Sequence, residues 1–114
     1  MTPVRRRGAV AALWAVTVAG AAGARLARDA KPVTHTVTID ATSYKPARLN
    51  VLVGDTVVWV NKDLIPHTAT AKGGGFDSKV LAAGASFRFT VRAKGGTDYA
   101  CLFHPTMTGR IDAE

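Results

Sequence analysis

The amino-acid sequence predicts an all-β domain, a Greek-key β-sandwich of seven to eight short strands. Three observations predict this fold class: apolar and polar residues alternate in several short runs, turns rich in Gly and Pro separate the runs, and no segment has a good helical period. The chain has 114 residues, of which 47% are hydrophobic and 20% are charged. This length and composition predict one globular domain.

The N-terminal part of the chain is expected to be a secretory signal peptide, residues 1–24. Arg5, Arg6 and Arg7 form a basic start, an apolar stretch follows, and small residues before position 25 offer cleavage sites. An uncleaved membrane anchor is the alternative, because the apolar stretch is only just long enough to span a bilayer. Residues 25–32 resemble a polar linker, so we expect the folded domain at 33–114 and a periplasmic or otherwise extracytoplasmic location.

The folded region begins with a run in which Val33, His35, Val37 and Ile39 alternate with threonines, as in a half-buried strand. His35 is expected to be packed or hydrogen-bonded rather than to bind a metal. A turn region with Pro46 follows at 41–47. Further strands are predicted at 48–53, 56–61, 68–72, 86–92, 98–102 and 108–112.

The charge of the chain limits the classes of partner. The formal net charge is +7, and residues 1–24 contribute three arginines and no acids, so the remainder carries +4. No basic run is interleaved with aromatic residues, so we expect no nucleic-acid binding. A mildly basic monomer that is steered toward an acidic protein or an anionic membrane surface is expected.

Three metal-binding side chains follow one another near the end of the sequence. Cys101, the only cysteine, is followed by His104 and Met107 at intervals of three. This spacing also fits one face of a helix, but Pro105 and Gly109 disfavour a helix here, so a tight loop between two strands is predicted. Cys and Met are soft donors that suit copper, and a blue-copper centre uses two His, one Cys and a weakly bound Met. His67, between two predicted strands, is the expected fourth ligand.

A longer pattern supports this assignment. The sequence resembles the cupredoxins, most of all the amicyanins, in the order of four residues, His67, Cys101, His104 and Met107. It also shares with them the motifs 53–61, 66–67 and 75–78 and a tyrosine, Tyr99, before the cysteine. The resemblance implies a cupredoxin fold, one type 1 copper and one-electron transfer between extracytoplasmic redox proteins. It also implies that the electron leaves through His104, near the surface. The residues expected to surround His104 are Leu64, Ile65, Pro66, Phe103, Pro105 and Met107. An amine dehydrogenase and a c-type cytochrome are the partners that the resemblance implies.

Two residues depart from the amicyanin pattern. Thr68 stands where the family usually has an Asn that ties the two ligand loops together. Phe103 stands where the family has Pro, and Phe has a backbone N–H that proline lacks. An N–H directed at the Cys101 sulfur would withdraw charge from it and favour Cu(I), so we expect a higher reduction potential than with Pro at this position.

Other functions remain open from sequence alone. A periplasmic copper carrier or storage protein would use the same soft ligands without electron transfer. A copper enzyme needs a second, His-rich site, and only His35 is left, so we do not expect an enzyme. Zinc suits the Cys and His ligands but gains little from Met107.

Overall fold

A computed structural model describes residues 31–114, and these residues form a two-sheet β-sandwich. The predicted signal peptide and most of the predicted linker lie outside the described residues. Within residues 31–114 no helix is long and apolar enough to span a bilayer.

The described residues contain eight strands, in agreement with the predicted number. They are β1 (Thr34–Asp40), β2 (Ser43–Lys45), β3 (Arg48–Val51), β4 (Thr56–Asn61), β5 (Thr70–Ala71), β6 (Ser86–Thr90), β7 (Gly95–Ala100) and β8 (Thr108–Ala113).

Each sheet has four strands and mixes parallel with antiparallel pairs. The first sheet has the order β2-β1-β4-β6, and the second has the order β3-β8-β7-β5. The pairs β1–β4 and β3–β8 are parallel, and the others are antiparallel. Parallel neighbours cannot be joined by a tight hairpin, so the chain crosses repeatedly from one sheet to the other.

Alternate residues of both sheets form the core. In β1 and β4, which pair in register at Val37 and Trp59, the inward side chains are fully buried. Trp59 packs edge-on against Tyr99 of the other sheet at a ring-centroid distance of 5.4 Å. It also contacts Phe76, at a ring-centroid distance of 5.0 Å. This aromatic contact fixes the separation of the sheets beside Cys101, which follows Tyr99 by two residues.

Gly109 has a packing role in the same region. It pairs with Tyr99 across β7 and β8, and a Cβ atom at this position would lie 2.4 Å from the Tyr99 ring. Only glycine therefore lets the tyrosine lie flat over the neighbouring strand.

The structure corrects several predicted boundaries. The turn region 41–47 contains strand β2, which sequence reasoning missed, because three residues are too few to show an alternation. Strand β5 has two residues rather than the predicted five, since the chain leaves the sheet at the glycines 73–75. Strand β7 spans Gly95–Ala100 rather than the predicted 98–102.

Candidate metal centre

Two histidines and the cysteine converge at one end of the sandwich. The possible ligand atoms of His67, Cys101 and His104 all lie within 4.8 Å of one another. The Cys101 Sγ atom is 3.8 Å from Nδ1 of His67 and 3.8 Å from Nδ1 of His104. His67 and Cys101 are buried, and His104 is half-buried. The fold thus brings His67, 34 residues before Cys101 in the chain, next to Cys101 and His104.

Met107 closes the loop that carries Cys101 and His104. Its carbonyl accepts a hydrogen bond from Cys101 N at 3.1 Å, and its N–H donates to the His104 carbonyl at 2.8 Å. The residue is 4% exposed. Met107 is therefore buried, and the prediction that it is one of the surface residues around His104 is wrong.

His67 is oriented by a carboxylate that sequence reasoning did not identify. The His67 Nε2 atom lies 2.8 Å from Oδ2 of Asp63. Backbone N–H groups, that of Thr42 foremost, hold the pKa of Asp63 below its usual value, although partial burial opposes this shift. Because an ionised carboxylate only accepts hydrogen bonds, Nε2 carries the proton and Nδ1 presents its lone pair toward Cys101.

Asp63 also anchors a distant turn to the site. It accepts hydrogen bonds from Ala41 N at 2.7 Å and from Thr42 N at 2.9 Å. Both residues have left-handed backbone conformations, with φ of 51° and 55°, which non-glycine residues adopt infrequently. Their N–H groups therefore point together at one carboxylate, which in turn holds the His67 ring.

The buried Asn61 holds the loop between β4 and His67. Its side-chain amide donates to the carbonyls of Ile65 and Leu81, at 3.0 and 2.9 Å, and its oxygen accepts from Asp63 N at 2.9 Å. These three bonds satisfy a side chain that is fully buried. The loop 62–66 is therefore held rigidly, as a ligand support needs to be.

The surroundings of Cys101 favour the thiolate. Burial alone raises the pKa of the thiol, but interactions with the His104 ring, the Thr68 N–H, the His67 ring and the Phe103 N–H outweigh it and lower the pKa to about 6. At neutral pH the thiolate, the form that binds metals, is therefore the dominant form. The Phe103 N–H is among the groups that lower the pKa of Cys101, in the direction that the departure from the family pattern predicts.

Thr68 connects the two ligand loops, although the family usually has Asn here. Its N–H approaches the Cys101 Sγ atom at 3.4 Å, and its hydroxyl oxygen accepts a hydrogen bond from Leu102 N at 3.0 Å. The Tyr44 hydroxyl donates to the Thr68 carbonyl from the opposite sheet. The Thr68 hydroxyl thus links the two loops at the position where the family usually has an Asn for this purpose.

His35 lies outside this cluster, as predicted. Its Nε2 atom is 2.8 Å from Oδ2 of the buried Asp55, which also accepts hydrogen bonds from Val33 N and Leu52 N. His35 thus helps to fasten the start of β1, and the ligand cluster contains the other two histidines.

The donor set discriminates among metals. Two imidazole nitrogens and a thiolate are soft or borderline donors that suit copper and zinc, and a thioether in the adjoining loop favours copper. Asp63 lies behind His67, where it accepts a hydrogen bond from the ring, so it is not a hard oxygen ligand that would favour calcium or magnesium.

Sequence reasoning missed Asp63 and the supporting role of Asn61. The signal was weak, because Asp63 and His67 are four residues apart in a loop, where that spacing does not place side chains together as it does in a helix. The only indication was a carboxylate shortly before a histidine that was predicted to bind metal, in the loop after a buried strand.

Comparison with known proteins agrees with the geometry. A family model of the cupredoxin-like domain matches residues 8–111. The chain is 30% identical over 83 residues to amicyanin from Paracoccus denitrificans and 29% identical over 83 residues to amicyanin from Paracoccus versutus. Each alignment covers 68% of this chain and 63% of the relative, so the chain spans just under two thirds of the length of these relatives.

Solved structures with the same architecture include amicyanin, a purple cupredoxin and part of a copper-containing nitrite reductase. An oxidized mutant of amicyanin has a TM-score of 0.67 and 28% identity, covering 70% of this chain and 81% of its own. A purple cupredoxin from Nitrosopumilus maritimus has a TM-score of 0.64 and 30% identity, covering 70% and 99%. A copper-containing nitrite reductase from Thermus scotoductus has a TM-score of 0.68 and 28% identity, but the match covers 81% of this chain and only 24% of the enzyme. The chain therefore belongs to the cupredoxin-like domain family and is most like amicyanin.

Proposed function

We propose that this protein is a type 1 copper electron carrier, in which His67, Cys101, His104 and Met107 hold one copper ion. The observation that carries the proposal is the convergence of two imidazole nitrogens and a thiolate sulfur within 4.8 Å at one end of a rigid sandwich. The bound copper would supply a reversible Cu(II)/Cu(I) couple. Amicyanins are the relatives, which favours electron transfer over catalysis for this chain.

The protein's own contribution is to keep the ligands still. The Asn61 bonds hold the His67 loop, and the Cys101–Met107 and Met107–His104 backbone bonds hold the second loop. When ligand positions change little between oxidation states, little reorganisation accompanies each electron transfer. Burial of His67 and Cys101 keeps water away from the thiolate.

Exposed apolar side chains precede both histidines of the proposed site along the chain. Leu64 and Ile65 come shortly before His67, and Leu102 and Phe103 come directly before His104; Leu64 is 94% exposed and Leu102 is 64% exposed. As one apolar surface these four side chains suit brief docking of a redox partner, because a small apolar contact binds weakly and separates quickly. Pro66 and Pro105, also expected at this surface from sequence, are exposed, whereas Met107 is buried and Leu102 was not expected.

The proposal is tested by the electron self-exchange of the copper-loaded protein. We expect NMR line broadening in mixtures of the Cu(I) and Cu(II) forms to report rapid exchange, and Leu64→Asp to slow it, because two copies then bring like charges together at the apolar surface. Val53→Asp is the matched control, since Val53 is 42% exposed beside Gly54 at the opposite end of β4. It should leave the self-exchange rate unchanged.

A copper carrier is the competing function, and the same protein distinguishes it. A carrier would lose copper to a Cu(I) chelator during one cycle of reduction and reoxidation and would exchange electrons slowly. An electron carrier would keep its copper through the cycle. Slow self-exchange together with copper loss would refute the proposed function in favour of the carrier.

Phe103 provides a test of how the loop sets the reduction potential. Phe103→Pro removes the N–H that helps to lower the pKa of Cys101, and the reduced form, with more charge on sulfur, loses more from this than the oxidised form. If the two oxidation states differ by about 1 kcal/mol in that hydrogen bond, the potential falls by about 40 mV. Cyclic voltammetry measures the shift, and Phe103→Ala, which keeps the N–H, is the control. An unchanged or higher potential in the proline variant would contradict this role.

The cellular setting is proposed by likeness to the amicyanins. An extracytoplasmic location follows from the expected signal peptide, and an amine dehydrogenase and a c-type cytochrome are the partners that the likeness implies. The net positive charge, +4 after removal of residues 1–24, would steer an acidic partner toward this protein.

A further inference from the structure

A chain of hydroxyl groups leads from the ligand loops to a carboxylate at the surface. Leu102 N donates to the Thr68 hydroxyl at 3.0 Å, the Thr68 and Thr70 hydroxyl oxygens are 2.9 Å apart, and the Thr70 hydroxyl donates to Oδ1 of Asp77 at 3.2 Å. Thr68 is buried, Thr70 and Asp77 are half-buried, and Thr70 and Asp77 face each other in an isolated antiparallel bridge. The chain thus runs from the residue after Cys101, through the residue after His67, to a separate loop.

The direction of every bond in this chain follows from its outer end. The Lys79 N–H donates to Oδ1 of Asp77 at 2.9 Å and holds the pKa of this carboxyl below its usual value, although partial burial opposes the shift. The ionised carboxylate can only accept, so the Thr70 hydroxyl must use its single hydrogen on it. Thr70 then accepts from Thr68, which leaves the Thr68 oxygen free to accept from Leu102 N.

Asp77 is itself held in place by its own loop. Its Oδ2 atom pairs with Lys79 Nζ at 3.5 Å, and Lys79 adopts a left-handed conformation with φ of 59°, which turns its N–H back onto the carboxylate. Next in the chain, Ser78 makes a hydrogen-bonded pair with Ala69: Ala69 N donates to the Ser78 hydroxyl at 2.7 Å, and Ser78 N donates to the Ala69 carbonyl at 3.0 Å. The loop 76–79 is therefore docked against the strand that follows His67.

We propose that Thr70 and Asp77 are positioning residues of the metal centre, which fix the Thr68 hydroxyl so that it clamps the Cys101 loop through Leu102. With one hydroxyl orientation enforced, Thr68 keeps both of its contacts across the loops, the bond from Leu102 N and the approach of its own N–H to the Cys101 Sγ atom at 3.4 Å. Hydrogen bonds aligned in one direction polarise and strengthen each other. Neither Thr70 nor Asp77 is among the converging residues, so the Thr70 hydroxyl and the Asp77 carboxylate act on them through this chain of hydrogen bonds.

The first test is hydrogen exchange of the Leu102 amide, measured by NMR on the full chain without metal and with Cu(I). Thr70→Val keeps the shape of the side chain and removes its hydroxyl, so we expect the Leu102 amide to exchange about fivefold faster, the factor for one neutral hydrogen bond. Thr70→Ser keeps the hydroxyl and should restore the parent rate. Asp77→Ala removes the outer acceptor and should act in the same direction as Thr70→Val. The metal-free measurement does not depend on copper. The positioning role can therefore be refuted while the proposed electron-carrier function stands, and the electron-carrier function can be refuted while the positioning role stands.

The second test distinguishes positioning from general stability. Thr90→Val is the matched control. Thr90 and Thr56 lie on neighbouring strands of the sheet that does not contain Thr70, and their hydroxyl oxygens are 3.4 Å apart. We expect Thr70→Val, but neither Thr70→Ser nor Thr90→Val, to shift the visible absorption maximum and the reduction potential of the copper-loaded protein. The proposal is overturned if Leu102 exchange stays at the parent rate in both Thr70→Val and Asp77→Ala. It is also overturned if Thr90→Val accelerates the exchange equally, or if the spectrum and the potential of Thr70→Val match those of the parent.

Discussion

Cys101→Ser is expected to abolish the intense visible absorption of the copper-loaded protein and to weaken copper binding strongly. The colour of a type 1 centre comes from charge transfer between the thiolate and Cu(II), and a serine oxygen is a hard donor that cannot supply it. The lowered pKa of the thiol, about 6, means that the parent offers a thiolate at neutral pH, whereas a serine hydroxyl stays protonated. An absorption spectrum after titration with Cu(II) measures both effects.

His35→Gln is the control for this experiment. His35 is the one histidine outside the cluster, and its ring is hydrogen-bonded to Asp55, so its removal should leave the absorption band in place. Colour that survives in Cys101→Ser, or that disappears in His35→Gln, would refute the assigned ligands.

Asp63→Ala is expected to lower copper affinity by about 10- to 100-fold, as loss of a hydrogen-bond partner behind a ligand histidine typically does. The substitution leaves the buried His67 Nε2 without its acceptor, so the ring loses both its fixed tautomer and its fixed orientation. It also releases the N–H groups of Ala41 and Thr42, which then lack a common acceptor. Competition with a copper chelator of known affinity measures the change.

Two further variants make this result specific. Asp63→Asn keeps the shape and one acceptor oxygen, so its affinity should fall between those of Asp63→Ala and the parent. Asp98→Ala removes an exposed carboxylate that pairs with Arg110 on the sheet surface, and surface pairs of this kind contribute little. An equal loss of affinity in Asp98→Ala, or no loss in Asp63→Ala, would mean that Asp63 does not position the ligand.

The residues of the proposed site could be picked out from sequence because their chemistry is unusual and three of them are local. Cys101, His104 and Met107 lie within one loop, and few structures other than a copper site use a thiolate, an imidazole and a thioether at this spacing. The strands β1 and β4 were equally predictable, since Val37, Ile39, Val57 and Trp59 alternate with outward residues.

The groups that support the ligands could not be predicted in the same way. Asp63 bonds to backbone N–H groups of a turn about twenty residues earlier, and that turn depends on two left-handed residues that are not glycines. Likewise, the Thr68–Thr70–Asp77 chain requires a loop to fold back onto β5, which no periodicity encodes. Sequence patterns report which face of a strand is buried, but they do not report which polar groups meet after the chain turns.

The placement of β8 has a consequence for how the protein matures. Among the described strands, β3 pairs with β8 alone, so this ladder cannot form until β8, much later in the chain, arrives. Contacts between segments so far apart along the chain form slowly. The thiol of Cys101, which lies in the loop before β8, is consequently among the last groups to be shielded, and an oxidant present during folding would reach it before the sandwich closes.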